Sequence, residues 1–91
     1  MKYAVKFTSQ FKKDLKKAKK QGKDIEKILR VIKLLADDKK LPISLHDHEL
    51  SGDYAGTREC HIEPDWLLVY EKIEETLVLM CYRNGTHSEL F

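Results

Sequence analysis

The chain predicts an α+β fold: an N-terminal strand, a basic two-helix hairpin, then an antiparallel sheet meander ending in a short C-terminal helix or turn. Three observations carry this. Apolar residues recur at helical spacing between positions 11 and 36, and at alternate positions from 57 onward. Charge divides the chain at the same place. Residues 1–40 hold 14 Lys or Arg against 5 acids (+9), and residues 41–91 hold 3 against 10 (−7), which together give the net +2. At 91 residues the chain fits one domain, residues 1–91, with no linker or internal repeat.

Tyr3, Val5 and Phe7 alternate with Ala4 and Lys6, the period of a half-buried strand. Thr8 or Ser9 can then cap a helix through its hydroxyl. Phe11, Leu15 and Ala18 form one helical stripe, and Lys12, Lys13, Lys16, Lys17, Lys19 and Lys20 surround it. Gly22 ends this helix and Asp24 caps the next. Ile25, Ile28, Leu29, Ile32, Leu35 and Ala36 make a wider apolar stripe, and Pro42 marks the exit.

Beyond the hairpin the period becomes two. Thr57 to Ile62 alternates, with Arg58, Cys60 and Ile62 on one face and Thr57, Glu59 and His61 on the other. Glu63-Pro64-Asp65 predicts a turn, Trp66 to Glu71 a strand, and Glu74-Glu75 the next turn. Thr76 to Arg83 predicts a central strand, apolar on both sides through Leu77, Val78, Leu79 and Met80. Asn84-Gly85 is a turn signal, and Thr86-His87-Ser88-Glu89 has the spacing of a capping box.

The sequence also excludes several classes. Apolar runs stop at about four residues where a membrane span needs roughly 20, and the N-terminus lacks the apolar stretch of a secretory leader. The expectation is a cytoplasmic protein without membrane contact. Two cysteines, Cys60 and Cys81, make no disulfide framework and no Cys-x-x-Cys zinc motif, so they read as reduced core thiols. The lysine-rich first half suits a polyanion such as nucleic acid, or is simply a solvated helix face.

Side chains able to do chemistry collect in the second half: His46, His48, Glu59, His61, Asp65, Arg83 and His87. Imidazoles with a carboxylate and an arginine suit cleavage of an RNA phosphodiester. One imidazole accepts the 2′-hydroxyl proton, another donates to the leaving 5′-oxygen, and arginine offsets charge on the phosphoryl oxygens. This route uses no metal and no cofactor. His46-Asp47-His48 is a weak alternative seed for a metal site.

The stretch from His48 to Trp66 (HELSGDYAGTRECHIEPDW) and the ending Arg83 to Phe91 (RNGTHSELF) resemble the signature of YafQ-type toxins in the RelE/ParE superfamily of bacterial toxin–antitoxin systems. The resemblance implies a RelE-like fold and a metal-independent endoribonuclease, an mRNA interferase that cuts mRNA in the ribosomal A site. It places His48, His61, Asp65 and His87 in the acid–base set and Arg83 as the phosphate-stabilising arginine. Glu59 falls where members often carry Asp, and Trp66 and Phe91 match aromatic positions lining the site. Lys12, Lys13, Lys16, Lys17 and Lys20, with Lys19 and Lys23, would then face ribosomal RNA. The implied partners are ribosome, mRNA and a cognate DinJ/RelB-like antitoxin, with operator DNA bound only through the antitoxin. A ParE-like gyrase inhibitor, which would lack the histidine set, and a non-catalytic RNA-binding module are the alternatives.

Overall fold

A computed structural model describes residues 1–91. Five strands form one mixed sheet in the order β1-β5-β4-β3-β2. They are β1 (Ala4–Phe7), β2 (His48–Glu49), β3 (Arg58–Glu63), β4 (Trp66–Ile73) and β5 (Val78–Gly85). Helices α1 (Ser9–Lys20) and α2 (Ile25–Ala36) form the hairpin, and α3 (His87–Leu90) follows β5. No helix is long and apolar enough to cross a membrane. The expected element order holds, with one addition. β1 pairs with β5 in parallel, Ala4 opposite Val78, so the meander β3-β4-β5 is antiparallel while the whole sheet is mixed.

Thr8 is the cap of α1, accepting from the Phe11 N–H at 2.9 Å, and its own hydroxyl donates to the Tyr82 carbonyl. That pair fastens the start of α1 to β5. Asp24 caps α2 by accepting from the Glu26 N–H. The two helices cover one face of the sheet. There Phe11, Ala18, Ile28, Val31, Ile32, Leu35 and Ala36 meet Cys60, Ile62, Trp66, Leu68, Tyr70, Leu79 and Cys81. Each buried Val, Leu, Ile or Phe among them contributes about 1.5–3 kcal/mol of transfer free energy. The opposite face carries a smaller cluster of Leu67, Val69 and Leu90, flanked by Leu50, Tyr54 and Tyr82. Along β3, Cys60 and Ile62 enter the large core, and Glu59 and His61 point to the opposite face.

Four local expectations fail. Leu29 is 42% exposed, and Val31 takes the place in the α2 stripe that Leu29 was expected to fill. Helix α2 ends at Ala36, well before Pro42, and Pro42 instead precedes a 3-10 turn over Ile43–Leu45. Leu77 lies in the β4–β5 turn at φ 50°, so the central strand begins at Val78. Asn84-Gly85 is not a turn but the end of β5. A bulge at Tyr82 lengthens β5 relative to β4, and Asn84 then falls opposite Leu68 with its amide fully used. Asn84 Oδ1 accepts from Trp66 Nε1 at 3.2 Å, its Nδ2 donates to the Phe11 carbonyl, and its backbone N–H donates to Asp14. Those partners outweigh the local turn preference of Asn-Gly.

Candidate active site

Three segments converge on the face opposite the helices. The first is the loop leading into β2. Its 3-10 turn ends at His46, in the left-handed conformation (φ 48°, ψ 46°), which histidine tolerates better than most residues. That conformation turns the His46 carbonyl toward His48 Nδ1, 2.6 Å away. A carbonyl only accepts, so His48 carries its proton on Nδ1. Asp47 anchors the loop, accepting from Tyr70 Oη at 2.6 Å and Arg58 Nε at 3.3 Å. Short β2 then pairs His48 with Glu59.

The second segment is β3 and its turn. Glu59 is only 4% exposed, and its Oε1 lies 3.4 Å from His61 Nε2. His61 Nδ1 lies 3.3 Å from the Pro64 carbonyl, which sets its proton on Nδ1 as well. The third segment is α3. Thr86 and Glu89 form the expected capping box, with Glu89 Oε1 accepting from the Thr86 N–H at 2.8 Å. The Asp65 carboxylate, from the β3–β4 turn, accepts from both the backbone N–H and Nδ1 of His87, each at 3.0 Å. Those two donors, the backbone one first, hold Asp65 below the usual carboxylate range.

Three imidazoles from three segments are therefore held alike. Each Nδ1–H is given to an oxygen, so Nε2 is the atom left to gain or lose a proton, at His61 beside the Glu59 carboxylate. The His61 ring lies 5.6 Å from that of His46, 6.4 Å from His48 and 5.7 Å from His87. One ligand atom each from Glu59, His61 and His87 lie within 4.8 Å of one another. A carboxylate with two imidazoles is a donor set that a divalent transition metal accepts.

Phe91 is 59% exposed and packs edge-on against Tyr54 at 5.2 Å, with His87 6.4 Å away. Tyr54 Oη donates to the Leu90 carbonyl. Phe91 thus stands at the rim of the histidine cluster, free to stack on a base. Lys12, Lys13, Lys16, Lys17 and Lys20 are all exposed along α1. Lys17 reaches Glu89, and this ion pair, with the Thr86 N–H, brings the Glu89 carboxyl down to about 2.

Two expected residues are placed differently. Trp66 does not reach the histidine cluster. It is fully buried on the helix side of the sheet, under Lys23 and bonded to Asn84, because β4 alternation sends it into the main core. Arg83 is in hydrogen-bond contact with none of the histidines. Its Nε and Nη2 donate to Asp14 at 2.7 and 3.1 Å. Sequence reasoning missed two contributors, Asp14 and Tyr54, and the reach of a third. His46 stood among the candidates, but nothing showed that its ring would reach His61. Asp14 gave a clearer signal, as the one acid among the lysines of α1, three residues after Phe11 on the apolar side. Tyr54 gave none beyond its place in the family-like stretch.

The family model described as "Bacterial toxin of type II toxin-antitoxin system, YafQ" matches residues 3–91. The mRNA interferase toxin YafQ of Escherichia coli K12 is 38% identical over 88 residues, which is 96% of this chain and 94% of that protein. YafQ in the E. coli DinJ–YafQ complex superposes with a TM-score of 0.88 at 37% identity, covering 98% of both chains. A metal-bound toxin from Helicobacter pylori superposes with a TM-score of 0.92 at 38% identity, covering 98% of this chain and 99% of the other. The chain belongs to the YafQ family of toxins of type II toxin–antitoxin systems.

Proposed function

We propose that this toxin cuts mRNA on the ribosome by metal-independent acid–base catalysis. The observation that carries the reading is the common anchoring of His48, His61 and His87 through Nδ1, which leaves Nε2 of His48 and His87 for proton transfer and sets that of His61 against Glu59. The E. coli relative is an mRNA interferase by name, and the alignment spans the reacting segments. His48 Nε2, which no carboxylate pairs with, takes the proton of the 2′-hydroxyl. The 2′-oxygen attacks phosphorus, and the P–O5′ bond breaks. His87 Nε2 gives its proton to the departing 5′-oxygen, while Asp65 accepts from Nδ1 throughout and balances the imidazolium. The products are a 2′,3′-cyclic phosphate and a 5′-hydroxyl. His61, paired with Glu59, supplies positive charge to the phosphoryl oxygens, and Phe91 stacks on a base.

The lysines of α1 dock the toxin on ribosomal RNA, which sets its working place in the cytoplasm. A DinJ-like antitoxin is the partner that restrains it, by analogy with the DinJ–YafQ complex, and operator DNA is reached only through that antitoxin. The test is primer extension on a reporter mRNA in reconstituted translation, with and without ribosomes. The expected result is ribosome-dependent cuts that fall about 10²–10⁴-fold with His87→Ala. A folded wild-type protein that makes no cuts would reject the nuclease reading, and gyrase inhibition would be measured next.

A further inference from the structure

We infer that Asp14 is the positioning residue for Arg83, holding its guanidinium where it meets a phosphate oxygen of bound RNA; this rests on the nuclease reading above. Asp14 is the only acid in α1, and it ignores the adjacent lysines. It is 9% exposed, and both its oxygens are saturated. Oδ2 accepts from Arg83 Nε at 2.7 Å and the Asn84 N–H at 3.2 Å; Oδ1 accepts from Arg83 Nη2 at 3.1 Å and Gln10 Nε2 at 3.0 Å. A two-point contact to a planar fork fixes the plane of the guanidinium as well as its position, which a single-point lysine contact cannot do. The carboxylate also pushes the Arg83 guanidinium further toward its charged form.

What remains of Arg83 faces outward. Its side chain is 27% exposed and lines a cleft of about 250 Å³ with Lys13, Lys17 and Lys23. Gly85 and Glu89 form the far wall, and α3 carries His87 from there to the histidine cluster. Arg83 also lines a cavity with Tyr54, whose ring packs on Phe91 at the rim of the histidine cluster, so the cation is fixed near that rim by helix α1 and strand β5 rather than by a loop. Asp14 touches no substrate itself, and its effect passes through Arg83.

The test combines a cycle with a direct view of the side chain. Arg83→Ala lowers kcat/KM for RNA cleavage by about 100-fold, and Asp14→Asn by about 10-fold. In the Arg83→Ala background, Asp14→Asn costs less than about 2-fold, because the residue it positions is gone. The preference between the two phosphorothioate diastereomers at the cut site shrinks in both single variants, a change that loss of stability alone does not produce. In the ¹⁵N spectrum the Arg83 Nε–H signal is sharp and protected in wild type, and broadens in Asp14→Asn. Gln10→Ala, which removes only one donor to Asp14, guards against a misfolded Asn variant and leaves the signal in place. Additive losses, or an unchanged diastereomer preference, would overturn the inference. If wild-type protein cuts nothing, binding of an RNA with 2′-deoxyribose at the cut site decides. A loss of affinity in Asp14→Asn that is smaller than in Arg83→Ala and vanishes in the Arg83→Ala background supports the pair, and no loss in Asp14→Asn, or an additive one, removes it, independently of the nuclease reading.

Discussion

Replacing Glu89 with Ala tests how α3 holds His87 in place. A helix of four residues has no stability of its own. Five contacts hold it: Leu90, 6% exposed against Leu67 and Val69, the reciprocal cap with Thr86, the ion pair with Lys17, the Asp65 carboxylate on His87 and the Tyr54 hydroxyl on the Leu90 carbonyl. Glu89→Ala removes the second half of the cap, worth about 1 kcal/mol, and the bridge, worth up to about 1 kcal/mol with Lys17 well exposed. The loss of about 1–2 kcal/mol lowers the ratio of docked to frayed α3 roughly 5–30-fold. Hydrogen exchange reads this directly. The Thr86, Glu89, Leu90 and Phe91 amides, all bonded within the capped turn, speed up by that factor while those of β4 do not. RNA cleavage falls in step, since His87 leaves Asp65. Glu89→Gln keeps an acceptor for the Thr86 N–H and loses only the ion pair, so its effect is less than half. Because the folded Glu89 carboxyl sits at about 2 against 4.5 ordinarily, its contribution is complete above pH 4.5 and disappears as pH falls through about 2. Fast exchange of α3 with undiminished cleavage would refute the argument, as would a Gln variant as damaged as the Ala one.

Asp65→Asn removes the charge that balances the His87 imidazolium, and kcat falls about 10²–10⁴-fold with the alkaline limb of the pH–rate profile moved to lower pH; an unmoved limb would clear Asp65 of that role. Since Asp65 is held below its ordinary range when folded, whatever it adds to stability is present at neutral pH and lost only as pH falls through that lowered value. Trp66→Phe strands the buried Asn84 Oδ1 and costs about 1–3 kcal/mol in urea unfolding, with cleavage unchanged below the melting range; a cleavage defect at full stability would return Trp66 to the site. EDTA leaves cleavage intact, whereas Zn²⁺ or Cu²⁺ inhibits by occupying Glu59, His61 and His87; calorimetry shows one site in wild type that His61→Ala abolishes, and inhibition by EDTA would contradict the acid–base route.

Much of this fold is readable from the residues because local and tertiary preferences agree there. The caps at Thr8, Asp24 and Thr86 and the alternation through Cys60 and Ile62 all act in place. The misreadings share one cause: a long-range partner outweighs a local signal. Asn84-Gly85 resembles a hairpin turn until Trp66, Phe11 and Asp14 supply partners from two other elements. The family resemblance puts Trp66 among the site aromatics, yet strand alternation decides its side of the sheet. The carbonyl that sets the tautomer of His48 depends on the left-handed conformation of His46, which composition does not reveal. Asp14 is the instructive miss, since an acid on the apolar side of a helix signals a buried cation from elsewhere in the chain.

The parallel pairing of β1 with β5 has a consequence for when the toxin becomes dangerous. Ala4 meets Val78, and Thr8 and Asp14 grip Tyr82, Arg83 and Asn84, so the edge is sealed only when distant parts of the chain come together. The β3–β4 hairpin, with His61 and the pairing that brings His48 alongside, closes from near neighbours and assembles early. His87 waits for the slower step, because α3 rests on β5 and is tied to α1 through Lys17. A half-folded chain therefore holds His48 and His61 without His87. The histidine cluster is complete only with the final docking event, as a threshold rather than a gradual gain.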